Sequence, residues 1–228
     1  MPQTHSIPAR ILIALAASGA SMLAALAFAG ESSPTPASNP TEPAVPAPEA
    51  PKNPTMDRTL NPTGQTVSPD VKLQYATFGA GCFWGVEATF RETPGVIATS
   101  VGYSGGKVEN PTYKLVCTDT TGHAEVVHIQ FDPTKISYEQ VLQVFWDNHN
   151  PTTLNRQGPD VGSQYRSAIY FHDESQKAAA EKSKKALADS GKWGTKPIVT
   201  EISAFSKFYA AEDYHQMYLE KRGLKACH

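Results

Sequence analysis

Gly79-Ala80-Gly81-Cys82-Phe83-Trp84-Gly85-Val86-Glu87-Ala88-Thr89-Phe90 is the stretch from which the rest of the 228-residue chain can be placed. A short apolar run, Tyr75 to Phe78, leads into it. Phe83, Val86 and Phe90 then recur at i, i+3 and i+7, the spacing of one buried helical face. The stretch predicts a strand, a turn of small residues, and a helix that begins at a thiol. Unpaired N–H groups and the helix dipole at such a start favour the thiolate, the nucleophilic form of cysteine. A lone cysteine can equally be a small core residue. The junction by itself leaves both open.

Upstream, Ile11 to Ala29 is an uncharged, Ala- and Leu-rich run that ends in Ala27-Phe28-Ala29. A polar start ending in Arg10, an apolar stretch and an A-x-A site are the layout of a secretory signal peptide. An uncleaved membrane anchor is the competing reading, because the run is almost long enough to span. Its many Ala, Ser and Gly residues make it only mildly apolar and favour cleavage after Ala29. Residues 30–70 alternate proline with Ser, Thr, Ala, Glu and Asn, from Pro34 to Pro69. That composition cannot bury a core and predicts a disordered tether. About 155 residues remain, enough for one domain, over 71–228.

The net charge is −2, and no basic patch with interleaved aromatics occurs, which argues against nucleic acid as a partner. The cysteines are Cys82, Cys117 and Cys227. None are at C-x-x-C spacing, so the usual thioredoxin and zinc signatures are missing. His123 and His128 would face opposite sides of a strand, and His149, His172 and His215 fall in separate elements. No metal spacing is readable among them. Of these histidines, His215 is the one placed to line a site.

Within the domain, Gln74–Phe78 reads as a strand and the Cys82 helix runs to about Glu92. Val96–Tyr103 alternates as a second strand. A long polar loop from Lys107 to Gly122 follows, and loops of that length are uncommon unless they function. His123–Phe131 is a third strand. Its period of two puts Glu125 on the face of Val127, Ile129 and Phe131, which predicts a buried carboxyl with a raised pKa; the alternatives are a frayed strand end that leaves it solvated or a basic group that pairs with it. Ser137 and Gln140 make a capping box for a helix ending near Asn148. A second long loop, Asn150–Gln164, leads to a strand Tyr165–Phe171. Asp173 caps a surface helix reaching about Asp189. A fifth strand, Ile198–Ile202, and a last helix, Ala210–Arg222, complete the reading. The order β-α-β-β-α-β predicts an α+β, two-layer sandwich with a ferredoxin-like split βαβ core and long loops that build a site over it.

Three blocks, Gly81-Cys82-Phe83-Trp84-Gly85, Gly122-His123-Ala124-Glu125 and Asp160-Val161-Gly162-Ser163-Gln164-Tyr165-Arg166-Ser167, resemble A-type peptide methionine sulfoxide reductase. The likeness extends over about Tyr75 to Glu220 and includes Asn110-Pro111-Thr112-Tyr113 and Phe145-Trp146. It departs at Asn150, where the family commonly has Asp, at Pro159, where Asn is usual, and in having one tail cysteine rather than two. The resemblance implies a nucleophilic Cys82, an acid at Glu125, and hydrogen bonds from Tyr113 and Tyr165 to the sulfoxide oxygen. Asp160 would position a water or a ring, and Phe83 and Trp84 would hold the S-methyl group. It also implies that Cys227, on a short tail, resolves a Cys82 sulfenic acid to a disulfide, with Cys117 the less favoured candidate.

No cofactor is implied; electrons would come from thioredoxin or another dithiol donor. The substrate would be the S epimer of methionine sulfoxide, free or in oxidised proteins, and the enzyme a monomer. A general thiol peroxidase or disulfide oxidoreductase would need neither Glu125 nor the aromatics. A binding module would not need Cys82, Glu125 and Cys227 together. The leader implies an exported protein, periplasmic or in the cell envelope, tethered if the segment stays on. Sequencing the mature protein should find Gly30 first; a protein that begins at Met1 or Arg10 would rule out the cleavage.

Overall fold

The computed structural model describes residues 70–224. The expected signal peptide (1–29), the proline-rich segment up to residue 69, and Cys227 lie outside the described residues. In chain order the elements are β1 (Gln74–Ala80), α1 (Phe83–Arg91), β2 (Val96–Ser104), α2 (Tyr113–Val116) and β3 (Ala124–Phe131). There follow α3 (Tyr138–Asp147), the two-residue strands β4 (Arg156–Gln157) and β5 (Asp160–Val161), and a 3-10 turn (Ser163–Tyr165). The chain continues with β6 (Ser167–Phe171), α4 (Glu174–Asp189), β7 (Glu201–Ala204), β8 (Phe208–Ala210) and α5 (Tyr218–Lys221).

Six strands form one sheet in the order β7-β6-β1-β3-β2-β8. Every neighbouring pair is antiparallel except β6 and β7, which are parallel. The inner four, β6-β1-β3-β2, are the expected split βαβ arrangement. One face carries the helices: Phe78 of β1 stacks on Phe90 of α1 at 5.6 Å and on Phe145 of α3 at 4.9 Å. These aromatic rings, with Val127, Ile129 and Phe131, are fully buried, and their removal from water favours the packed layer. On the other face Ala124, Val126, Ala168 and Tyr170 pack under Phe205 and Phe208. β3 is therefore covered on both sides.

The predicted capping box forms as read: Ser137 Oγ accepts from the Gln140 N–H, and Gln140 Oε1 accepts from the Ser137 N–H. Asp173 caps α4 by accepting from the Gln176 N–H at 2.8 Å.

Several expectations are corrected. The strand expected at Tyr165–Phe171 begins at Ser167, because Tyr165 belongs to the 3-10 turn. The strand expected at Ile198–Ile202 lies at Glu201–Ala204, where its N–H groups pair with β6. Each long loop contains structure of its own: α2 in the first, the β4–β5 hairpin in the second. The helix expected over Ala210–Arg222 shrinks to Tyr218–Lys221. Phe208–Ala210 instead pairs with the open edge of β2. Gln216 then bridges to that edge, accepting from the Val101 N–H at 2.9 Å and donating to the Val101 carbonyl at 2.8 Å. Met217 takes a left-handed conformation, φ 52°, which stops any helix from running through it. Tertiary pairing has overridden local helix propensity.

Antiparallel pairing decides where the chemistry can sit. β1 and β2 end where β3 and β6 begin: Ala80 pairs with Ser167, and Ser104 with Ala124. Cys82, Glu125 and Tyr165 therefore emerge at one end of the sheet. Both long loops close over that end.

Gly102 admits β8 to the edge. A Cβ there would fall against the Tyr209 carbonyl oxygen and within 2.6 Å of the Phe208 ring. Gly102→Ala should destabilise the domain by about 1–3 kcal/mol, the usual cost of overpacking. Urea unfolding measures it; an unchanged midpoint would show that the edge can give way.

Candidate active site

Cys82 is the N-cap of α1, with extended backbone angles of φ −56° and ψ 118°, and is half-buried. Gly81 makes the approach possible. Its φ is +97°, open to glycine at little cost, and a Cβ would sit 2.6 Å from Gln157 Cγ of the second long loop. Glu125, one residue into β3, is 1% exposed. Its Oε2 accepts from the Phe83 N–H at 3.1 Å. The carboxyl thus engages the first backbone donor after the thiol. Burial pushes its pKa up to about 8; the Phe83 N–H pulls the other way, and the charge on Asp160 adds to the rise. The protonated form is therefore favoured at neutral pH.

The loops bring the other candidates. Tyr113 opens α2 within the first loop. Burial raises its pKa, and its hydroxyl meets the Cys117 thiol one turn on. Burial also raises the Cys117 pKa, opposed by that bond. Tyr165 sits among Glu125, Cys117, Asp160 and Cys82, whose charges add to the rise that burial imposes on its pKa. Asp160 is in β5, opposite Gln157. The two loops are stitched together: Asp119, itself at φ 61°, accepts from both the N–H and the hydroxyl of Ser163. Arg166 donates to the Gly122 and Ser163 carbonyls and to Glu201. His123 holds the base of the first loop, taking the Gly106 N–H on Nδ1 at 3.1 Å and meeting the Val108 carbonyl through Nε2 at 2.8 Å. The departure at Asn150 keeps its turn: Oδ1 accepts from the Thr152 N–H and hydroxyl.

An aromatic wall stands beside the thiol. Trp84 is half-buried and stacks on Tyr218 at 3.7 Å with planes 6° apart. Its indole N–H donates to His215 Nδ1 at 3.0 Å. Phe83 is 1% exposed and lies behind Trp84, against Tyr103 and His215. His215 is buried, its pKa lowered by burial against the pull of Glu212, and its ring lies 4.4 Å from that of Tyr113.

The structure thus gathers Cys82, Glu125, Tyr113, Tyr165 and Asp160 at one end of the sheet, with Phe83 and Trp84 alongside. Cys227 lies outside the described residues. Tyr218 and Glu212 were missed, because the run Glu212-Asp213-Tyr214-His215-Gln216-Met217-Tyr218 was assigned to a helix. Its lack of an apolar stripe was the available signal. His128 and His172, which fall in different elements, meet over Thr77, whose hydroxyl bonds both rings at 2.7 and 2.9 Å. That cluster is on the sheet face away from α1. Among the described residues no three His, Cys, Asp or Glu side chains are grouped to hold a metal ion.

The sequence model of the family described as peptide methionine sulfoxide reductase matches residues 74–228. The chain is 60% identical over 156 residues to the peptide methionine sulfoxide reductase MsrA of Methanosarcina acetivorans, covering 68% of this chain and 82% of that one. It is 55% identical over 161 residues to the MsrA of Methanoculleus marisnigri, covering 71% and 98%. Among solved structures, methionine sulfoxide reductase A of Corynebacterium diphtheriae is 39% identical with a TM-score of 0.62, covering 71% of this chain and 81% of that one. Reduced Mxr1 from Saccharomyces cerevisiae is 34% identical with a TM-score of 0.62, covering 70% and 93%. These likenesses also bear out the mixed α+β fold.

The carboxyl at Glu125 gives a direct check of the site. Infrared difference spectra of wild type against Glu125→Gln should show its protonated C=O band fading as pH rises through about 8. A band lost near pH 4.5 would mean a wet, ordinary carboxylate.

Proposed function

Since the chain belongs to the peptide methionine sulfoxide reductase family, an oxidoreductase family of the A type, we propose that it reduces the S epimer of methionine sulfoxide by the chemistry of Cys82 and Glu125. The observation that carries the proposal is the buried Glu125 carboxyl bonded to the Phe83 N–H, next to the residue that caps α1. A sulfoxide is a weak electrophile at sulfur. Attack by the Cys82 thiolate becomes feasible as the oxygen is protonated, and Glu125 is a proton donor that stays loaded at neutral pH. Tyr113 and Tyr165, both neutral phenols in this setting, donate to the same oxygen as charge builds on it. Trp84, fixed by His215 and Tyr218, offers the face that Tyr218 does not cover to the S-methyl group, with Phe83 packed against it. Burial keeps the proton on Glu125, and the charge of Asp160 adds to that effect.

The balance closes in three steps. Thiolate, proton and sulfoxide give methionine and Cys82–SOH; the sulfur of the substrate is reduced and that of Cys82 oxidised. The Cys227 thiol condenses with the sulfenic acid, forming the disulfide and releasing water. A dithiol donor of the thioredoxin type then reduces that disulfide by exchange. If the leader is removed and the protein exported, the substrates are oxidised exported proteins and free methionine sulfoxide. The reductant must then work outside the cytoplasm, against an environment that closes disulfides.

Single-turnover reduction of S- and R-methyl sulfoxides with dithiothreitol tests this. Only the S form should be reduced. Cys82→Ser should abolish turnover. Cys227→Ser should form one methionine per enzyme and then stop cycling on thioredoxin, and normal cycling would reject the resolving role. Glu125→Gln should slow reduction with little change in binding, because the acid acts in the transition state. Failure of the wild type to reduce the S form would refute the proposal.

A further inference from the structure

Glu212 has no part in the chemistry just described, yet its carboxylate meets the site at three points. Oε1 accepts from the Tyr113 N–H at 2.9 Å. Oε2 accepts from the Tyr103 hydroxyl at 3.0 Å and stands 4.0 Å from His215 Nε2. We propose that Glu212 is a positioning residue for sulfoxide reduction: by fixing the main chain at Tyr113 to the sheet, it sets where the Tyr113 hydroxyl stands. The inference rests on the function proposed above.

The two sides of this bridge differ in rigidity. Tyr103 is fully buried in β2. Glu212 comes two residues after β8, which pairs with β2, and the intervening Ala211 N–H donates to the Val101 carbonyl at 2.9 Å. Gln216 ties the next turn to the same strand through both backbone groups of Val101. Tyr113, by contrast, opens a four-residue helix inside a long loop. A helix that short cannot hold its own geometry. Thr112 caps it weakly, accepting from the Leu115 N–H at 3.3 Å. The Glu212 bond ties the main chain of the residue carrying the hydroxyl to the segment anchored on the sheet. The phenol oxygen lies at the far end of a long side chain, so a small rotation at its Cα moves it far. Misplacing a catalytic group by about 1 Å can cost a hundredfold in rate.

A purely structural Glu212 would knit the C-terminal segment to the loop and affect stability alone. A positioning Glu212 acts through Tyr113, and a double-mutant cycle separates the two. Single-turnover reduction of S-methionine sulfoxide by the full chain, reduced beforehand, is measured for Glu212→Ala and Glu212→Gln, each with and without Tyr113→Phe. Glu212→Ala should slow reduction by about tenfold to a hundredfold. The half-saturating sulfoxide concentration should stay within about twofold. In the Tyr113→Phe background the same change should cost less than about threefold. Glu212→Gln keeps one carbonyl acceptor and should fall in between; it carries the cycle should the Ala variant fail to fold.

Equal losses in both backgrounds would overturn the inference, as would a lowered melting temperature with the rate unchanged. A wild type that turns over while Tyr113→Phe is equally fast overturns this inference alone. A wild type that leaves the S sulfoxide intact refutes the functional proposal and takes the inference with it.

Discussion

One contact organises the active end of this domain: the Phe83 N–H donating to the buried carboxyl of Glu125. Two constraints meet there. The first turn of a helix has backbone donors with no partner inside the helix. A carboxyl on an apolar strand face has lost its water and resists ionisation. Each would be a cost alone, and each offsets the other. The bond is made across two elements 42 residues apart in sequence. It needs β1 and β3 in register, Gly81 turning the chain, and α1 starting where it does. Shifting β3 by one residue would turn Glu125 to the opposite face, under Phe205 and Phe208. The registry of the sheet is thus a condition on the acidity of one side chain.

The loops above the sheet are held mainly by side chains rather than by ladders. His123, Asp119, Arg166 and Gln157 each bond to backbone groups of a loop that has little regular structure of its own. Buried loop amides need partners, and these residues supply them. The C-terminal segment works the same way. Gln216 stands in for a missing strand at the edge of β2. Glu87 of α1, fully buried, accepts from the Thr99 hydroxyl and the Met217 N–H. Burial raises its pKa against those two bonds. Tyr218 is thereby delivered to the face of Trp84.

What could be read from the sequence follows from where information is local. The Cys82 turn, the capping box at Ser137 and the cap at Asp173 are each written in a few adjacent residues, and each forms. The face of Glu125 followed from strand alternation alone. The residues after Ala204 were misassigned for the opposite reason. Their conformation answers to an open strand edge a hundred residues earlier, which no local periodicity encodes. Ala210–Arg222 has acceptable helix formers, but Phe208–Ala210 pairs as a strand with the open β2 edge. Glu212 and Tyr218 were lost with that helix. His215 could be suspected but not given a partner, since its bond to Trp84 spans 131 positions. The family likeness named the substrate class, which geometry alone does not contain.

The direction of β1 has one more consequence. The strand begins at Gln74 and runs toward the thiol, so the residues before it lie at the far end of the sheet. Asp70 shares a hollow there with Pro133, Thr134 and Asp173, which follow the other ends of β3 and β6. Seven residues of extended strand, roughly 20 Å, separate that entry point from Cys82. Asp70 and the entry to β1 thus lie at the opposite pole of the sheet from Cys82.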